Sequence, residues 1–221
     1  MNLPSKIDVF KKYNQLHLPR PQPSDFAVDY FQEKENGFFV DIGAAEGILC
    51  NNSLPFEEGY GWKGICVEAN PVTYQKLIKN RPWTLNLNMG VADKEDTLEF
   101  WQIQGEAACL SGFEKFMSEE HKRRIRHDVA ANGDLLTKID ITCVPFDYIA
   151  KSAPNLRIDY LSIDTEGADL SIVQNINFSK IDIELISVEA DHSFDQIKEI
   201  LQQNRYMYIG ACCNDKFFSK I

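Results

Sequence analysis

Nothing in the sequence approaches a membrane-crossing apolar run, no two cysteines stand as a C-x-x-C pair, and no segment repeats. Positive charge is scarce as well. Lys and Arg number 23 against 33 Asp and Glu, giving a formal net charge of -10 and a sequence pI near 4.9. Each shortage argues against something. A phosphate backbone needs Lys and Arg to neutralise it, so a broad nucleic-acid footprint is not expected. The same deficit speaks against anionic membrane surfaces. Without C-x-x-C there is no structural zinc site to expect. The opening MNLPSKIDVFKKYNQ lacks the apolar core of a signal peptide, and the expected location is cytoplasmic, without membrane insertion. Of the six cysteines, Cys212 and Cys213 are adjacent and poorly placed to bridge each other. Most of Cys50, Cys66, Cys109 and Cys143 fall in or near expected strands as small hydrophobes, which suits a reducing compartment.

What is present suits one α/β domain. The chain has 221 residues, 44% hydrophobic and 25% charged, enough to bury a core without disulfides. Residues 1–35 read as an N-terminal segment, part helical and part extended, packing on a domain that covers 36–221. Its proline-rich piece, LPRPQP at 18–23, is extended because proline fixes φ and lacks an amide donor. A short helix is expected from Asp25 to Glu35. Strands then alternate with helices. Phe38–Ile42 reads as a strand covered on both faces, followed by Gly64–Glu68, Leu85–Ala92, Asp159–Ile163 and Ile183–Glu189. Asn70-Pro71 starts a helix, since Asn caps well and Pro is tolerated at the first position. Ser193 and Gln196 form a capping box for the last helix. Tyr206–Ile221 reads as a hairpin turning at Asn214-Asp215. The expected architecture is a Rossmann-like α/β fold: a mostly parallel seven-stranded sheet, helices on both faces and a C-terminal antiparallel hairpin. Gly105–Lys138 interrupts the alternation with a polar helix, Phe113 to His127, and a loop at Ala130 to Asp134. An excursion of this length serves most often as a lid or acceptor wall.

In open α/β sheets the ligand sits outside the carboxyl ends of the strands, so the residues there carry the functional reading. Asp41-Ile-Gly43-Ala44-Ala-Glu46-Gly47 follows the first strand. The dinucleotide fingerprint needs three glycines, and only Gly43 fits, because Ala45 and Ile48 occupy the other two places. Asp41 and Glu46 instead suit a cationic ligand part, such as an ammonium or a sulfonium. Glu68, followed by Ala69, ends the second strand, where a carboxylate accepts two ribose hydroxyls. Gly90-Val91-Ala92-Asp93 ends the third and is small enough to lie against an adenine. Asp164-Thr-Glu166-Gly ends the fourth, and Glu189-Ala-Asp191-His192 the fifth. Singly each has a bland reading, a turn, a solvated strand end or a helix cap. Acidic groups at four successive strand ends are the strongest physical signal in the chain.

These residues resemble the FkbM-type methyltransferases. The resemblance runs from about Gly37 to the C-terminus and rests on GFFVDIGAAEG at 37–47, YGWKGICVEANP at 60–71 and IDYLSIDTEGADLSIV at 158–173. It implies the class I methyltransferase fold, S-adenosyl-L-methionine bound at Gly43, Glu68 and the Asp164 region, and methyl transfer to a hydroxyl of a sugar, glycan or natural product. Many relatives carry Glu-His-Asn at the end of the fifth strand. Here the sequence is Glu189-Ala190-Asp191, and His192 is shifted by two.

Methyl transfer to a hydroxyl must also remove a proton. Asp164, Glu166, Asp191 and His192 are candidates for a general base. Alternatively, Asp164, Glu189 and Asp191 could hold magnesium or calcium, whose charge would lower the hydroxyl's pKa. The basic residues His121, Lys122, Arg123, Arg124, Arg126 and His127 fit either contact with a phosphorylated acceptor or a solvated face with Glu119 and Glu120 as partners; the second is favoured. Phe113, Phe116 and Met117 are expected to pack on the sheet rather than form an acceptor platform. Competing functions are a nucleotide-cofactor oxidoreductase, a non-catalytic cofactor-binding partner protein, and methylation of nucleic acid or protein.

Overall fold

The computed structural model describes residues 22–32, 34–49, 51–190 and 193–221. The strands in chain order are β1 (Phe38–Ile42), β2 (Lys63–Val67), β3 (Leu85–Leu87), β4 (Gly90–Ala92), β5 (Asp96–Gln104) and β6 (Gly112–Phe113). Then come β7 (Leu135–Pro145), β8 (Arg157–Ile163), β9 (Asp182–Glu189), β10 (Tyr206–Cys212) and β11 (Asp215–Lys220). The helices are α1 (Pro23–Phe31), α2 (Leu54–Tyr60), α3 (Pro71–Asn80), α4 (Glu119–Asn132), α5 (Phe146–Ala150), α6 (Asp169–Gln174) and α7 (Phe194–Gln203).

Seven strands form one sheet in the order β10-β11-β9-β8-β1-β2-β3. The run from β9 to β3 is parallel, and β11 joins it antiparallel through the terminal hairpin with β10. Alternation along each strand sends its side chains to opposite faces. Val40, Ile65, Leu161 and Ile186 build the core on one face, while Phe39, Cys66, Tyr160 and Leu185 join Phe56 and Trp62 on the other. Chain order reverses direction between β1 and β8, and the two tips there lie side by side: Asp164 N donates to Ile42 O at 2.9 Å. That is where an open α/β sheet leaves a crevice. α3 starts as its sequence implies, with the Asn70 side chain accepting from the amides of Val72 and Thr73 and with Pro71 in the first turn.

Several expectations need correction. Leu85–Ala92 is not one strand: it breaks at Asn88, whose side-chain amide donates to the Glu68 carbonyl at 2.8 Å. β3 stays in the main sheet, while β4 joins a second sheet ordered β4-β7-β5-β6. That second sheet flanks the excursion on both sides, with β5 and β7 paired antiparallel from Asp96↔Cys143 to Gln104↔Leu135. The polar helix starts six residues later than expected, because Gly112-Phe113 pairs with β5 and Ser118 caps α4 by accepting from the His121 amide. The expected loop at Ala130 to Asp134 is instead the end of α4, closed by Gly133 at φ 71. Ser193 flanks α7, yet its side chain makes no cap bond. The N-terminal reading over 1–21, including most of LPRPQP, lies outside the described residues; α1 itself begins at Pro23 rather than Asp25. Among the described residues, no helix is long and apolar enough to cross a membrane.

Candidate functional site

A cavity of about 400 Å³ opens at the carboxyl ends of β1, β2 and β8, walled on its far side by the second sheet. Its floor is made by close backbone approach. Gly43 has φ +86, and a Cβ there would stand 1.6 Å from the Asp164 carbonyl oxygen. Only glycine lets the β1 turn pass the β8 tip this closely. The Gly43 and Ala44 amides both donate to Val67 O, at 2.9 and 3.1 Å, so the turn is tied to β2 as well.

Glu68 sits between two elements. One carboxylate oxygen accepts from the Ala45 amide at 2.9 Å and the other from the Asn70 amide at 2.7 Å. Burial outweighs these bonds and pushes its pKa up to about 7. Each carboxylate oxygen accepts more than one hydrogen bond, so Glu68 retains acceptor capacity on the cavity side, which it lines. Met89, Gly90, Val91, Phe100 and Phe113 form an apolar slot nearby, with Phe113 edge-on to Phe100 at 5.0 Å. Phe113 thus both packs on the second sheet and faces the cavity. Phe100, Cys109 and Ser111 also line it and carried no sequence signal beyond their neighbourhood.

Of the residues singled out from the sequence, Gly43, Glu46, Glu68, Ala69, Gly90, Val91, Asp164 and Glu166 line this cavity. Asp41 and Ala44 do not. Asp41 is one row back from the strand tips and is buried at 2% exposure. Its carboxylate accepts from Ser53 Oγ at 2.6 Å and Asn51 Nδ2 at 2.9 Å, so it braces the turn from behind. Ala44 is buried in the core that holds Phe56 and Leu77. Asp191 and His192 lie outside the described residues. The fold brings Asp164, Glu166 and Glu189 together, with carboxylate oxygens within 4.8 Å of one another.

Two further carboxylates belong to this acidic rim. Asp169 accepts from the Thr165 amide and hydroxyl and from the Gly167 amide, at 3.0, 2.8 and 3.1 Å. Asp215, opposite Glu189 in the register of β11 on β9, receives one long bond of 3.4 Å from Asn52. Asp169 was not singled out in the sequence, while Asp215 looked only like a turn residue. Burial and neighbouring carboxylates raise three of these acids: Asp215 to about 7, Asp169 to about 6, and Asp164 well above the usual range through burial and Glu189.

The basic helix spends its charge locally. Lys122 pairs with Glu114 and Glu119, Arg124 with Asp128, and Arg126 lies 5.4 Å over the Trp101 ring. His121 is the exception, reaching back to the rim with Nδ1 3.6 Å from Glu166 Oε2.

The raised carboxyls carry a pH consequence. Each keeps its proton in the folded state at a pH where the unfolded chain has released it. The folded state therefore binds more protons between about pH 4 and pH 7, and stability falls as pH rises through that window. With one pKa unit worth about 1.4 kcal/mol, melting is expected roughly 5–10 °C lower at pH 8 than at pH 5. Asp215→Asn should flatten that dependence. A Tm that rises toward pH 8 would show that these carboxyls ionise freely.

The sheet order thus sets a glycine-floored cavity at its switch point, with a carboxylate at the tip of the second strand. Residues 41–208 match the methyltransferase FkbM domain, and the chain belongs to that family. No curated protein matches the sequence. Among solved structures it is similar to a methyltransferase FkbM from Methylobacillus flagellatus (TM-score 0.49, 15% identity, 85% of this chain and 44% of that one). It is also similar to a TehB-like SAM-dependent methyltransferase from Corynebacterium glutamicum (0.46, 8%, 98% and 98%). A third is a precorrin-6y C5,15-methyltransferase from Geobacter metallireducens (0.46, 10%, 88% and 84%). The chain spans less than half of the Methylobacillus protein, and the family assignment rests on the domain match.

Proposed function

We propose that this chain binds S-adenosyl-L-methionine in the cavity and transfers its methyl group to a hydroxyl of a sugar, glycan or glycosylated small molecule, in the cytoplasm. The observation that carries the cofactor half is Glu68: a carboxylate anchored through two amides and facing the cavity beside an apolar slot. That pairing suits a ribose next to a purine, and the small residues at Gly43 and Gly90 leave room for it. When bound, the cofactor supplies an activated methyl on a cationic sulfur.

The chain's own residues supply the rest. Burial and Glu189 disfavour the charge on Asp164, which suits it to donate a hydrogen bond rather than to take a proton. Glu166 lines the cavity and is the better proton acceptor. As the acceptor hydroxyl takes up the methyl group, its O–H proton would pass to the Glu166 carboxylate. Holding the hydroxyl in near-attack geometry supplies several kcal/mol of the barrier. A divalent cation on Asp164 and Glu189 is the second route. Only the convergence of carboxylates supports it, and the His121 ring already occupies the Glu166 side. The acidic rim disfavours anionic acceptors and nucleic acid alike.

Calorimetric titration with S-adenosylhomocysteine, with NADH as the control ligand, tests this reading. Micromolar binding of the first and none of the second is expected. Glu68→Gln should weaken that binding roughly tenfold while the fold survives, since one of its two amide-accepting oxygens becomes a donor. NADH binding would instead revive the oxidoreductase reading. Binding of neither would leave the fold without its cofactor, as in a non-catalytic protein.

A further inference from the structure

We propose that His121 is a positioning residue that holds Glu166 at the cavity mouth, making the wall formed by residues 105–121 part of the proton-accepting machinery. The inference rests on the methyl-transfer reading of the cavity, but the contact itself is tested without any cofactor.

The geometry starts from the ring. His121 Nε2 lies 3.2 Å from the Leu110 carbonyl oxygen, and a carbonyl only accepts, so Nε2 bears a hydrogen. That leaves Nδ1 facing Glu166 Oε2 at 3.6 Å. The ring thus sets one nitrogen on the wall and the other against the carboxylate. The contact draws one Glu166 oxygen toward α4 and holds the carboxyl at the edge of the cavity it lines.

The surrounding backbone makes this contact specific. Glu166 adopts φ 55, a left-handed conformation that turns its side chain out of the line of β8. Two glycines then seat the wall on the same loop. A Cβ at Gly112 would stand 3.4 Å from Glu166 Cβ, and one at Gly167 would stand 2.7 Å from the Phe116 carbonyl oxygen. The His121 amide is itself fixed, donating to Ser118 Oγ at 3.0 Å. The other charged groups nearby do not compete for the ring. Lys122 turns to Glu114 and Glu119, Asp164 and Glu189 face each other, and Asp169 is taken by Thr165 and Gly167.

Two substitutions separate bracing from positioning. His121→Asn places an amide where Nδ1 stood and keeps a donor toward Glu166. His121→Gln reaches the Leu110 carbonyl and drops that donor. The experiment is long-range 1H–15N correlation of His-labelled full-length protein, with the His121 signals assigned by their loss in His121→Asn. Amide exchange at Glu166 and Gly167 is measured alongside. In the wild type, His121 is expected to show a hydrogen-bearing Nε2 and an Nδ1 signal that moves on Glu166→Gln. His121→Gln should raise exchange at Glu166–Gly167 roughly tenfold, and His121→Asn should restore most of the protection. An Nδ1 signal indifferent to Glu166→Gln, or equal exchange in the two His121 variants, would overturn the proposal. S-adenosylhomocysteine affinity in His121→Gln is expected within twofold of wild type. Wild-type protein that fails to bind it would sink the cofactor reading and leave the His121 contact standing.

Discussion

Gly43→Ala is expected to lower Tm by roughly 10 °C or more, or to leave no soluble folded protein. Two separate penalties act at this position. The residue sits at φ +86, and the added Cβ would stand 1.6 Å from the Asp164 carbonyl oxygen. The second penalty is the larger, because the obstacle is backbone and has no rotamer to swing away. Neither strand can retreat. Gly43 N is bonded to Val67 O, and Asp164 N to Ile42 O, so moving either tip breaks the ladder that forms the cavity floor. Gly133→Ala separates the two effects. Gly133 has φ +71, and a methyl added there would meet nothing within 4 Å, so it incurs only the left-handed cost of about 1 kcal/mol. Thermal melting of both variants is the measurement. If the two lose the same few degrees, close approach of the β1 and β8 tips does not constrain residue 43.

The parallel sheet was legible because its strands carry apolar runs bounded by turn residues, and because Asn70-Pro71 announces a helix in local chemistry alone. The second sheet was not. In β5 and β7, exposed polar residues alternate with half-buried ones such as Leu98 and Ile141. That weak alternation, on either side of the Gly105–Lys138 excursion, gave no strand signal, and only the long β5–β7 pairing reveals it. The same limit shaped the site. Strand ends and spacing located Gly43, Glu68 and Asp164, since those are properties of position along the chain. They could not show which way a side chain points. Asp41, one row behind the tips, therefore looked like a ligand-facing acid, although Asn51 and Ser53 hold it on the opposite side of the turn. Arg81, His121 and Asp215 reach the site region from distant segments, and no local pattern could have brought them together.

Arg81→Met is expected to destabilise the protein by about 3–5 kcal/mol, a Tm loss of roughly 10 °C, and to weaken S-adenosylhomocysteine binding roughly tenfold in the protein that remains folded. Arg81 ends α3 at 1% exposure, and its guanidinium reaches the back of the cavity loop. It donates to Glu57 Oε2 at 2.5 Å, to Asn51 Oδ1 at 2.9 Å and to the Gly47 carbonyl at 3.3 Å. Ser53 Oγ, which donates to Asp41, also accepts from it at 3.3 Å. Truncation would strand the Glu57 carboxylate, which is 13% exposed, beside a buried Asp41 that has lost its nearest counter-charge. The loop between Gly47 and Asn51 would lose its hold at the same time, which couples stability to ligand affinity. Arg81→Lys keeps the charge but not the planar fork, so it should fall between the two. The cycle with Glu57→Gln distinguishes charge from scaffolding. If the unpaired carboxylate causes the loss, the double variant regains at least about 1 kcal/mol over the sum of the singles, while affinity stays low because the loop anchors are still missing. Simple additivity would assign the loss to packing around the Arg81 stem, and unchanged affinity in Arg81→Met would mean that the cavity loop holds its shape without it.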